Sequence, residues 1–182
     1  MTSESVRVSS TDISHLELLR AHVSELWAEA AAYAGTVPEC VVLDIAPQDH
    51  RGVGPLLTQD TTILTLDIDP ESGADVIGDI CTFNRSIEDA SFAVVVCTEV
   101  LEHVSNPFAA VSEILRMLKP DGRAYFSAPL NFRIHGPLPD NWRFTEHGWR
   151  QLLSPFSKVD IRTLETPDRS LMPIHYNVVA TR

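Results

Sequence analysis

The sequence predicts an α/β fold, a doubly wound and mostly parallel sheet of seven strands, on three observations. Short continuous apolar runs recur along the chain, as in strands buried on both faces. Stretches with apolar residues at three- and four-residue steps stand before and between these runs, as in helices that cover a sheet. Several of the runs close on an acid, and in such sheets ligands bind outside the carboxyl ends of the strands, where strand order reverses.

Residues 1–11 are read as a flexible N-terminus and residues 12–182 as a single domain. A helix is predicted from Asp12 to Ala34. Ile13, Leu16, Leu19, Val23, Leu26 or Trp27, and Ala30 form its apolar stripe, Ser14 and Glu17 its capping box, and Gly35 its stop. It packs on the core or closes over a pocket. The predicted strands are Cys40–Ala46, Thr61–Ile68, Ala74–Ile80 (the weakest), Phe92–Thr98, Arg123–Pro129, Lys158–Glu165 and His175–Arg182. Between the fourth and fifth lies a helix capped by Asn106, with Pro107 in its first turn. Phe108, Val111, Ile114, Leu115 and Leu118 are its expected inner face, and Pro120 ends it. Another helix is expected from Glu146 to Leu153, capped by Thr145.

Composition excludes several function classes. The net charge of -11 opposes a nucleic-acid or anionic-membrane partner, since both need a basic face. No apolar run approaches the ~20 residues that span a bilayer, and the polar start resembles no signal peptide. Cys40, Cys81 and Cys97 form no disulfide framework, so a cytoplasmic location is expected. No His/Asp/Glu set has a metal-ligand spacing, so no metal is predicted. A Gly-x-Ser-x-Gly elbow and a Gly-Lys-Ser/Thr phosphate loop are both missing, which argues against a hydrolase and a nucleotide triphosphatase.

The strand-end acids are Asp44, Asp67 with Asp69, Asp79, and Glu99 after Thr98. An acid ending the second strand suits ribose, because its carboxylate accepts from both hydroxyls. Asp67 follows Asp44 by 23 residues, near the ~20 expected between a first turn and a ribose acid.

In order, "VLDIA", "LTLDIDP", "VIGDI", "FAVVVCTEVLEHVSNP" and "LKPDGRAYFSAP" resemble the successive motifs of class I S-adenosylmethionine-dependent methyltransferases, and the small type 11 group in particular. The likeness runs from about Val41 to Arg182 and is most specific from Cys97 to Pro129. It implies a Rossmann-like sheet with an antiparallel last strand. It also implies S-adenosylmethionine as cofactor, with Asp67 on the ribose, Ile68 against the adenine, Asp79 on the adenine amine, and Ile80 and Cys81 flanking the ring. Asp44, Ala46 and Pro47 would shape the loop at the methionine end, which Thr98 and Glu99 would line. His103 would lie near the methyl donor or the acceptor.

The departure lies after the first strand. The family places a glycine, a small residue and a glycine where this chain has Ala46, Pro47 and Gln48. Glycines there let the backbone turn tightly and approach the cofactor; alanine tolerates close approach at some cost, and proline fixes φ and removes a donor. S-adenosylmethionine has no phosphate to cradle, so a poorer loop harms it less than a dinucleotide, and a dehydrogenase is disfavoured. Two readings stay open: an enzyme, or a non-catalytic member of the fold serving as a partner subunit or binding module.

The expected reaction is methyl transfer to a small molecule, with a sugar or glycosylated metabolite as one acceptor class. His135 and His103 are the candidate bases for removing an acceptor proton. Arg133, His135, Asn141, Trp142 and Arg143 are the candidate acceptor-binding residues, on the polar, aromatic, proline-stiffened stretch after the fifth strand. Arg143 could equally clamp Asp140 or Glu146. The short chain leaves the pocket open to solvent or completed by a second copy in a homo-oligomer.

Overall fold

A computed structural model describes residues 7–47 and 52–182. The elements are α1 (Ser10–Ala34), β1 (Val41–Ile45), β2 (Thr62–Asp67), β3 (Val76–Ile77), β4 (Phe92–Thr98), α2 (Pro107–Met117), β5 (Leu118–Pro129), α3 (Glu146–Leu152), β6 (Lys158–Thr166) and β7 (Arg169–Thr181). The sheet order is β3-β2-β1-β4-β5-β7-β6. β1 to β5 pair in parallel, and β7 runs antiparallel to both β5 and β6. The seven-stranded α/β sheet with its antiparallel last strand is thus the architecture the sequence predicts. Strand order reverses beside β1, whose neighbours are β2 and β4, so a crevice opens at the ends of these strands.

The two faces are covered unequally. Val42 of β1 with Val94 and Val96 of β4 packs with Leu26, Ala30 and Ala34 of α1. Leu43, Val95 and Cys97, one residue out of step, pack with Val111, Ile114 and Met117 of α2 and with Trp149 of α3. Trp149 is fully buried, with Phe126 and Phe144 at ring-centroid distances of 6.2 and 5.0 Å. Among the described residues of the β1–β2 connection, the helical structure is a short 3-10 helix, Gly54–Leu56.

Three local expectations are corrected. α1 starts two residues early. Its capping box is Ser9 with Asp12: the Ser9 hydroxyl accepts from the Asp12 N–H at 3.1 Å, and the Asp12 carboxylate accepts from the Ser9 N–H at 2.9 Å. Phe108 lies on the solvent side of α2 at 59 % exposure, because the inner face runs through Ala110, Val111, Ile114 and Met117. β5 begins at Leu118, directly after α2, so the helix ends before Pro120. Residues 1–6 of the expected flexible N-terminus lie outside the described residues.

Candidate active site

A cavity of about 570 Å³ opens over the ends of β1 and β4. Its floor is Ala46, Thr98 and Glu99, one wall is α1 through Leu19, Val23 and Trp27, and the facing wall holds His103, Phe132 and His135. α1 is pinned there by Trp27, whose indole N–H donates to the Thr98 hydroxyl at 3.1 Å. A second cavity of about 500 Å³ runs past Gly54, Thr65 and Asp67, and Pro47 lines both. The two cavities lie side by side across the ends of β4, β1 and β2, with Pro47 between them.

The floor is built on left-handed backbone. Ala46 has φ 52° and Glu99 φ 55°. Each makes a strand-end hydrogen bond, Ala46 N–H to the Leu66 carbonyl at 2.7 Å and Glu99 N–H to the Ser127 carbonyl at 3.1 Å. Ala46 therefore occupies a conformation that glycine adopts without penalty. Beneath it, buried Asp44 accepts from the Val53 N–H at 2.9 Å. Burial pushes its carboxyl up to about 7. Gly52, at φ +50°, passes so close that a Cβ would fall 2.0 Å from the Asp44 Oδ2. The returning chain thus presses its backbone on the acid, which only glycine permits. Gln48 of the altered turn lies outside the described residues.

Asp67 ends β2 in the second cavity, with Oδ1 accepting from the Asp69 N–H at 2.9 Å. Ile68 beside it is 67 % exposed. Asp79, Ile80 and Cys81 enter neither cavity. Asp79 accepts from the Cys81 N–H at 2.8 Å, Ile80 is packed into the core, and the Cys81 thiol donates to the Asn106 carbonyl at 3.3 Å. Of the stretch after β5, Phe132, His135, Gly136 and Pro137 line the first cavity, His135 being the one predicted acceptor-binding residue among them. Asn141 and Trp142 do not line it, because their side chains donate to the His103 and Val104 carbonyls. Arg143 clamps Asp140, whose carboxyl that ion pair lowers to about 2. Arg133 lies 3.8 Å from Asp12 of α1. These residues hold the wall in place.

Sequence reasoning missed three residues. Glu102 is completely buried behind the two imidazoles. Its Oε1 is 3.7 Å from His135 Nε2 and 3.8 Å from His103 Nε2, and neither carboxylate oxygen has a hydrogen-bond partner. Burial and the nearby Glu99 push its carboxyl up to about 7. An acid inside the apolar run Val100–Val104 was the available signal. His175, at the predicted start of the last strand, is fully buried and 2.7 Å from Glu99 through Nε2, while its Nδ1 meets His22 Nδ1 of α1 at 2.9 Å. Burial raises Glu99, but His175 and the Ser127 hydroxyl (2.8 Å) outweigh it and keep the carboxylate below its usual range. His22 falls to about 4 through burial and the neighbouring His175.

The site residues fit S-adenosylmethionine. Asp67 would hold the ribose, and the Asp44–Gly52 cradle with Ala46, Pro47, Thr98 and Glu99 would take the methionine end. Likeness to known proteins agrees. Crystal structures of S-adenosylmethionine-dependent methyltransferases share the fold: one from Archaeoglobus fulgidus (TM-score 0.66, 15% identity, covering 91% of this chain and 97% of that one) and one from Aquifex aeolicus (0.62, 15%, 92% and 92%). Over 40 residues the chain is 48% identical to a ubiquinone biosynthesis O-methyltransferase of Neisseria meningitidis and 50% identical to one of Idiomarina loihiensis. These matches take in 22% of this chain and 17% and 16% of those proteins, so the chain spans about a sixth of the curated relatives it matches. Across residues 24–164 it matches a family model described as a methyltransferase domain. The chain belongs to that methyltransferase family, and its sheet has the fold of the S-adenosylmethionine-dependent methyltransferases named above.

Proposed function

We propose that this protein transfers a methyl group to a hydroxyl oxygen of a small molecule. The observation that carries the reading is one cavity whose floor is Ala46, Thr98 and Glu99, where the methionine end of the cofactor would lie, and whose facing wall presents two imidazoles backed by a buried carboxyl. The bound cofactor supplies an electrophilic methyl carbon on a sulfonium. The protein holds the acceptor in line with that carbon, excludes water and takes the acceptor proton. Leu19, Val23, Trp27 and Phe132 offer the acceptor an apolar slot, and His135 and His103 face it from one side. Facing Glu102 raises the affinity of His135 for a proton, which suits a base. The short matches to two O-methyltransferases support oxygen as the attacked atom. A sugar or glycosylated metabolite remains the acceptor class we favour from the sequence. The net charge of -11 disfavours a nucleic-acid acceptor.

Calorimetric titration with S-adenosylmethionine and S-adenosylhomocysteine tests the reading. Micromolar binding to both is expected, and its loss in Asp67→Ala. A folded protein that binds neither is a non-catalytic member of the family.

A further inference from the structure

Glu102 and Glu99 both face imidazoles, yet Glu99 is part-exposed on the cavity floor while Glu102 is fully buried, and their partners differ. Glu99 is a satisfied carboxylate, with His175 at 2.7 Å and the Ser127 hydroxyl at 2.8 Å. Glu102 is fully buried, and neither of its oxygens is hydrogen-bonded. A buried polar group without a partner costs on the order of 1–3 kcal/mol, so its retention needs a cause. The two imidazole Nε2 atoms stand off at 3.7 and 3.8 Å from the same oxygen, beyond hydrogen-bond length. All three ligand atoms lie within 4.8 Å of one another. In a tetrahedral site with bonds of about 2.0 Å, ligand atoms sit roughly 3.3 Å apart. The two Glu102–imidazole separations exceed that spacing by about half an ångström.

The outer partners agree. His103 Nδ1 lies 2.9 Å from the Pro139 carbonyl, which can only accept, so Nδ1 carries the proton and Nε2 presents a lone pair. His135 Nδ1 lies 3.1 Å from the Asp140 carboxylate without hydrogen-bond alignment, and the His135 backbone N–H donates to that carboxylate, itself fixed by Arg143, at 3.1 Å. A ring nitrogen tied to a carbonyl, as in His103, is how proteins orient metal-ligating histidines. We propose that Glu102, His103 and His135 bind a divalent first-row transition-metal ion with zinc-like preferences, its fourth position open to the cavity. Two imidazoles and one carboxylate select such an ion over magnesium, which prefers an all-oxygen shell. The inference rests on the methyl-transfer reading and changes one role in it: with the metal bound, the two imidazoles are ligands and no longer take the acceptor proton, which an acceptor hydroxyl in the fourth position would give up to solvent more readily, as metal-bound water does. The sequence offered no ligand spacing because His135 lies far from the Glu102–His103 pair along the chain.

The test is titration of the metal-stripped chain with Zn2+ against a chromophoric indicator, and with Co2+ followed by visible absorption. One equivalent of Zn2+ is expected, together with the intense ligand-field bands of four-coordinate Co2+. Glu102→Gln and His135→Asn weaken Zn2+ binding by about 100-fold, while His147→Asn, at an exposed site, leaves it unchanged. Wild-type affinity in both site variants, or no Co2+ bands from the unmodified chain, overturns the assignment. The Co2+ spectrum needs no variant, so it decides the matter even where a substitution prevents folding. S-adenosylmethionine titration of the same sample separates the two readings. Cofactor binding without metal binding refutes the metal site alone, and failure of both refutes methyl transfer as well.

Discussion

Asp44 makes a buried acid at the cofactor loop measurable. Its carboxyl is almost fully buried, accepts one backbone N–H, and has its pKa raised by burial from 3.8 to about 7. The folded state therefore binds this proton more tightly than the unfolded chain. The associated stability is complete below pH 3.8 and is lost as pH rises through about 7. At 1.36 kcal/mol per pKa unit the full loss is about 4 kcal/mol, a large share of a domain's typical stability. Asp44→Asn removes the titration and keeps an oxygen for the Val53 N–H. Its new amide N–H group is buried without an evident partner, which subtracts a pH-independent amount on the order of 1–3 kcal/mol. Urea unfolding of both proteins from pH 4 to pH 8.5 separates the two effects, since every other titrating group cancels in the difference. The wild type should lose about 4 kcal/mol relative to the variant across that range, most of it before pH 7.5. Parallel stability curves would refute the argument that Asp44 ionises against burial.

Three further outcomes test the frame of the site. Gly52→Ala places a methyl against the Asp44 carboxylate and demands φ +50° of a non-glycine residue, so S-adenosylmethionine binding should fall at least about tenfold by calorimetry, with a lower thermal midpoint. Ala46→Gly relieves the left-handed strain at φ 52° and should raise folding stability in urea by up to about 1 kcal/mol; a loss would show that the strain has been misjudged. Trp149→Ala empties the core beneath α3 and should cost about 3–5 kcal/mol by the same assay.

The parts of the fold that rest on one-dimensional patterns were legible in the sequence. β4, the most apolar run, was bounded to the residue, and Asn106 and Thr145 cap their helices as their side chains require. The α1 boundary was not, because Ser9–Asp12 and Ser14–Glu17 offer the same capping chemistry. Ser9 precedes the whole first turn, and starting there adds backbone hydrogen bonds. Phe108 was misplaced because a large aromatic at a helical step outweighed small Ala110, although only the small residue fits where α2 meets the sheet.

The site divides along the same line. Acids at strand ends are a local property, and Asp44 and Asp67 could be found by reading where apolar runs stop. Pairings across the fold leave no local trace. His175 reaches Glu99 only because β7 returns antiparallel beside β5, and His22 meets His175 only because α1 lies over that hairpin edge. Glu102 stood in plain view within "VLEHV", but its meaning depends on His135 arriving from the far side of β5. The glycine-poor turn shows how the two kinds of information combine. Ala46 takes up the left-handed turn that glycine would provide, and the close backbone approach to Asp44 is made later, by Gly52. The turn and the close approach are thus divided between two positions, so the spacing of glycines in the sequence understated how much of the loop's geometry is kept.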